Sequence, residues 1–143
     1  MTKPPQQLSL FDSPALKLGS LGRAVKLALN RAAKACNLSR EELAHRAAAL
    51  ADEAGVNLCP GGGLGKAILD KWLDVNSPGH MPSLLGLAVL CQVLDEASPL
   101  APVFEYLGLE VMGPEDRKFR DMGRAYLELK QARQRLKKAE AQN

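Results

Sequence analysis

Leu38-Ser39-Arg40-Glu41-Glu42-Leu43-Ala44 is the stretch that decides how the chain folds. Ser39 stands three places before Glu42, the spacing at which a hydroxyl caps the Glu42 amide while the Glu42 carboxylate reaches back to the Ser39 amide. A helix therefore starts here. Leu43, Ala47, Leu50 and Ala54 give it a buried face at helical spacing, and Gly55 supplies the left-handed residue that ends it.

Working outward, the same periodicity recurs on both sides. From Ser20, Val25, Ala28, Leu29, Ala32 and Cys36 form the apolar side of an earlier helix, while Arg23, Lys26, Asn30 and Lys34 make a polar, basic stripe on another face. Asn37 and Leu38 interrupt it. Downstream, residues 56–63 hold Pro60 and three consecutive glycines and read as a loop. Leu64, Ile68, Leu69, Trp72 and Leu73 then mark a third, shorter helix, closed by the linker 76–80.

Pro82 suits the first position of a fourth helix, with Leu84, Leu87, Ala88, Cys91 and Leu94 as core-like positions. Pro99 opens a fifth, ending near Gly108. Gly113 and Pro114 begin a last, long helix in which Phe119, Met122, Tyr126, Leu129 and Leu136 keep three-four spacing, interrupted by Arg133. That stripe has two readings, packing within the chain or a seam for a second copy. The expectation is an all-α chain in three parts: a flexible arm over residues 1–18 containing Pro4, Pro5 and Pro14, a helical domain over 19–112, and a C-terminal helix over 113–143.

Composition agrees. Hydrophobic residues are 46% and charged residues 24%, an ordinary globular balance, and the aromatic share of 4% leaves Ala and Leu dominant, which favours helices over strands. No apolar run is long enough to span a bilayer, and residues 1–7 lack the apolar core of a signal peptide, so the expected location is the cytoplasm, away from membranes. Cys36, Cys59 and Cys91 are odd in number and widely spaced, which points to reduced thiols and not to a disulfide framework or a metal knuckle. The net charge of +3 is small, but seven Lys or Arg oppose two Glu over residues 17–46, and nine oppose five acids over residues 114–143.

A basic helix, a capped helix carrying Leu43-Ala44, a turn at Gly55-Val56-Asn57, then Leu69-Asp70-Lys71-Trp72 and Pro82-Ser83-Leu84 follow in order over residues 21–95. This order resembles the helix-turn-helix family of phage Cro and repressor proteins, in which a run like that over residues 38–44 opens the support helix. The resemblance implies a repressor-like five-helix bundle binding duplex DNA, with Leu69 and Trp72 anchoring the recognition helix inward. Gly63, Lys66, Ala67, Asp70 and Lys71 are then expected toward DNA, Lys66 on a guanine or a phosphate, and Arg40, Arg46 and Lys34 on the phosphate backbone. Where the family turns at a glycine, Ala48 stands, so the support helix is expected to run on and the following loop to be long. Repressor-like proteins are often dimers, which makes Phe119, Met122, Tyr126, Leu129 and Leu136 the candidate dimerisation residues.

Within the arm, Gln7-Leu8-Ser9-Leu10-Phe11 resembles the short peptide by which bacterial proteins dock on the DNA-polymerase sliding clamp. The glutamine suits a polar subsite, and the leucines and phenylalanine suit an apolar pocket. The other reading is that Leu8, Leu10 and Phe11 pack on the chain's own core.

Gly61-Gly62-Gly63-Leu64-Gly65-Lys66 falls short of a phosphate loop: Pro60 stands where the first glycine is required, Ala67 replaces Ser or Thr, and no strand precedes it. His45 and His80 are the only imidazoles, and no spacing matches a metal site or a nucleophile with its base. The reading is therefore a non-enzymatic DNA-binding transcriptional regulator of phage or prophage type, without cofactor or metal. The alternative is an adaptor that docks on the sliding clamp or another protein through its arm.

Overall fold

Short apolar segments punctuated by caps fold as helices throughout the computed structural model, which describes residues 14–142. The order is α1 (Pro14–Ala35), α2 (Arg40–Ala54), α3 (Lys66–Leu73), α4 (Leu84–Leu94), a 3₁₀ turn (Ser98–Leu100) leading into α5 (Ala101–Tyr106), and α6 (Pro114–Ala141). Among the described residues there is no strand beyond one isolated bridge, between Cys59 and Gly62. None of these helices is long and apolar enough to cross a membrane. The chain divides into a first unit ending at Leu109 and a second beginning at Glu110. Helix α1 thus starts inside the stretch expected to be a flexible arm, with Pro14 as its first residue.

The caps behave as the sequence suggests, with two exceptions. Ser39 Oγ accepts the Glu42 amide at 3.1 Å, but the Glu42 carboxylate turns to Arg46 at 2.8 Å instead of closing the reciprocal box. Gly55 ends α2 in the left-handed conformation (φ 69°), and its neighbour Val56 donates to the Ala51 carbonyl at 2.8 Å. Helix α4 starts later than expected: Ser83 Oγ accepts the Gly86 amide at 3.0 Å, so Ser83 is the cap and Pro82 lies outside the helix.

One core joins α1 to α4, built on Val25, Leu29, Leu43, Ala47, Leu69 and Leu90 among others. Helix α2 packs on α3 and α4, and α1 packs on α3, the 3₁₀ turn and α5. The 11-residue connection from Gly55 to Gly65 is held down by three buried apolar side chains, Leu58, Cys59 and Leu64. Two helix faces differ from expectation. On α2, Ala44 and Ala51 are buried while Leu50 is half-buried and Ala54 exposed. On α4, which is apolar all round, Gly86, Leu87 and Leu90 are buried, whereas Ala88 is exposed and Leu84 is 79% exposed.

Trp72 packs on that α4 face, which also meets α2. A Cβ on Gly86 would lie 2.8 Å from the Trp72 ring and 3.1 Å from Ser83 Oγ, so the indole rests directly on the α4 backbone. The largest departure lies on α1: Lys26 is 1% exposed, not part of a solvated stripe. Its ammonium donates to the Lys71 carbonyl at 3.0 Å, to the Asp74 carbonyl at 3.1 Å and to the Ser77 carbonyl. One turn on, Asn30 Nδ2 donates to the Leu73 carbonyl at 3.0 Å. Burial lowers the Lys26 pKa, partly opposed by the nearby Asp74 charge, yet the ammonium uses all three protons on carbonyls.

Two substitutions test this packing in urea unfolding. Lys26→Met keeps the stem but strands the Lys71 carbonyl in α3 and the Asp74 and Ser77 carbonyls beyond it, and should cost about 2 kcal/mol. Gly86→Ala should cost about 1–3 kcal/mol although alanine is the better helix former, because the Trp72 ring must move. Unchanged midpoints would mean that neither interaction carries the packing of α3.

Candidate nucleic-acid interface

Charge brings the first turns of α2 and α3 together. Arg40, the first residue of α2, pairs with Asp70 of α3 at 2.8 Å. Lys66, the first residue of α3, lies 3.7 Å from both Asp70 and Glu41, so two cations and two carboxylates share one patch. The Arg40 hydrogen bond holds the Asp70 carboxyl below the usual carboxylate range; the Lys66 and Arg40 charges act the same way, and partial desolvation opposes them. The patch is open to water, Lys66 and Glu41 being exposed and Arg40 and Asp70 half-buried, so solvent screens each pair.

Helix α3 is amphipathic in the sense its apolar residues imply. Leu69, Trp72 and Leu73 are buried, while Lys66, Ala67 and Lys71 are exposed and Asp70 lies between. Gly65 precedes it without a side-chain cap, and the exposed Gly63 belongs to the loop before it. Among the described residues Lys71 makes no ion pair, and its backbone carbonyl is one of the three that hold Lys26.

The remaining expected site residues lie apart from this cluster. Arg46 is exposed and spends its guanidinium on Glu42, one turn back on α2, at 2.8 Å. Lys34 is exposed in the last turn of α1. No ion pair or side-chain hydrogen bond joins Arg46, Lys34 or Gly63 to the Arg40–Asp70–Lys66 group among the described residues. Gln7, Leu8, Ser9, Leu10 and Phe11 lie outside the described residues. Phe119, Met122, Tyr126, Leu129 and Leu136 are all exposed along α6.

Sequence reasoning passed over two features. It left Arg31 off the basic stripe of the first helix, yet Arg31 is exposed, as Arg23 and Lys34 of that stripe are, on a helix with no acidic residue. It also left Ser77 and His80 unlinked, whereas Ser77 Oγ and His80 Nδ1 are 2.7 Å apart. The His80 amide donates to the Ser77 carbonyl as well, so the pair closes an exposed turn, while the Asp74 carboxylate is engaged by the Asn76 amide at 2.9 Å. The thiols are all free: Cys59 is buried and Cys91 half-buried, and burial raises both pKa values, leaving little thiolate for reaction. Among the described residues no group of His, Cys, Asp and Glu is placed to hold a metal.

Because the Asp70 carboxyl titrates lower in the folded chain, its ionised form contributes stability that is complete above the unfolded value of about 4 and is lost as pH falls through that value toward the folded one. Urea midpoints between neutral and acidic pH should therefore fall more steeply for the wild type than for Asp70→Asn, with the two curves converging in acid. Parallel curves would mean that the Arg40–Asp70 pair does not persist in solution. Compared with known protein families, curated proteins and solved structures, the chain finds no match.

Proposed function

We propose that the first unit binds duplex DNA and that the protein is a non-enzymatic transcriptional regulator of the phage-repressor type. The observation carrying this reading is α3: a short helix locked inward by Leu69, Trp72 and Leu73, with Lys66, Ala67 and Lys71 on its exposed side and Arg40, which shares the first turn of α2 with Glu41 and Glu42, paired to its Asp70. A helix so presented fits a major groove, and cations around its start suit the flanking phosphates. Arg23, Arg31 and Lys34 on α1 add positive charge that no acid of α1 offsets. On this reading α2 is the support helix and α3 the recognition helix, and two copies would present two such helices to a two-fold site. Helix α2 runs past Ala48 to Ala54, and the glycine-rich loop leads directly to Lys66, which limits the polar side chains available for reading bases.

A second reading rests on Gln7-Leu8-Ser9-Leu10-Phe11, whose glutamine and apolar residues suit a replication-clamp pocket. The helical unit would then be an adaptor in the cytoplasm.

Fluorescence anisotropy on labelled duplex fragments across a salt series separates the two. Binding should weaken as salt rises, and Lys66→Ala with Lys71→Ala should raise Kd by about tenfold or more while flattening the salt dependence by roughly one unit of slope for each of the two lysines that neutralises a phosphate. Leu10→Ala with Phe11→Ala should leave DNA affinity unchanged. No binding at low salt, or equal affinity with and without the two lysines, would favour the adaptor.

A further inference from the structure

Helix α6 carries a seam that matches itself in one direction only. Five of its six exposed large apolar residues fall on two alternating heptad positions, Phe119 and Tyr126 on one, Met122, Leu129 and Leu136 on the other, with Arg133 in the line of Phe119 and Tyr126 and only Leu127 off the seam. We propose that α6 pairs with α6 of a second copy as an antiparallel two-stranded coil, in the register that sets Phe119 against Leu136 of the other copy. That register is its own two-fold mate and also sets Tyr126 against Leu129 and Met122 against Arg133.

Charge selects this direction over the parallel one. In a parallel pair Arg133 faces the other Arg133 inside the seam, and two like charges meet where water is scarce. Antiparallel, Arg133 lies beside Met122, along which its stem can pack while the guanidinium reaches water. The flanks agree. One flank, Lys118, Ala125, Ala132 and Ala139, meets itself with Ala125 against Ala132 and Lys118 against Ala139, which permits close approach and sets no like charges together. The other sets Asp116 against Lys137 of the other copy at both ends, whereas the parallel arrangement brings no opposite charges together at the flanking positions. Asp116 keeps a free oxygen for this pairing, since only its Oδ2 accepts the Gly113 amide.

The occupant is a second copy because the stripe and its complement lie on one helix. At 28 residues α6 spans about 42 Å, so antiparallel pairing places the two Pro114 ends at opposite ends of the coil. The inference stands without the DNA-binding reading, since it concerns α6 alone.

Sedimentation of the full chain over a concentration series tests it. A monomer–dimer equilibrium is expected, and Leu129→Asp should weaken it by about a hundredfold or more, with circular dichroism checking that the first unit stays folded. A chain that is monomeric at every concentration, or a dimer indifferent to Leu129→Asp, would overturn the proposal. Direction is read from a charge exchange: Lys137→Asp should weaken the wild-type dimer several-fold but strengthen the dimer of Asp116→Lys. A Lys137→Asp effect of the same sign in both backgrounds would overturn the antiparallel register.

Discussion

The ammonium of Lys26 is the group on which the placement of α3 depends. A helix of eight residues has little stability of its own, and the carbonyls at its end need donors that the helix cannot supply. Lys26 supplies them from α1, reaching one carbonyl inside α3 and two beyond it, and Asn30 takes another at Leu73. A positive charge at a helix C-terminus also opposes the helix dipole in the favourable sense. The desolvation of the ammonium, which lowers its pKa, is offset locally by three carbonyls and the Asp74 charge. One side chain thereby fixes the end of α3, the turn after it and the distance between α1 and α3.

The opposite end of α3 is fixed differently. Leu64 anchors the loop just before the helix, and the Arg40–Asp70 pair ties its second turn to the start of α2. Between these ends Trp72 lies on Gly86, so the same short helix touches α4, which α2 also holds. Each constraint uses a different physical means: carbonyl capping, an exposed ion pair, and an aromatic ring against bare backbone. Together they hold α3 against α1, α2 and α4 and leave Lys66, Ala67 and Lys71 exposed.

Much of this was legible in the sequence, and the limits have physical causes. Ser39 and Gly55 mark the ends of α2 because capping depends on local chemistry alone. The inward set of α3, Leu69, Trp72 and Leu73, follows from periodicity because the helix has a polar side to contrast with it. The α4 face followed only at Leu87, because Leu84-Leu85-Gly86-Leu87-Ala88-Val89-Leu90 is apolar all round and tertiary packing, chiefly on α2 and with Trp72 on Gly86, decides that Gly86 and Leu90 are buried and Leu84 and Ala88 are not. Lys26 misled for the opposite reason: its charge placed it on the solvated stripe, while its position beside Val25 and Leu29 put it at the edge of the buried face, where distant carbonyls captured it. Of the expected site, Arg40, Lys66 and Asp70 do meet, but Arg46 is engaged by Glu42, a partner visible at four-residue spacing.

Asp70 sets the chemical character of the exposed flank. It holds Arg40 and Lys66 near each other, which removes part of the entropy that two long cationic side chains would lose on meeting a polyanion. It also neutralises them in part, and a phosphate approaching Arg40 must compete with a carboxylate already 2.8 Å away. The cations without such a partner among the described residues, Lys71 on α3 and Arg23, Arg31 and Lys34 on α1, carry no comparable penalty. Under the proposed DNA-binding reading, attraction to a polyanion would therefore begin with Lys71 of α3 and the acid-free surface of α1. On that reading, Arg40 and Lys66 would come free most readily for a ligand that also gives Asp70 a donor, as a base edge carrying an amino group would.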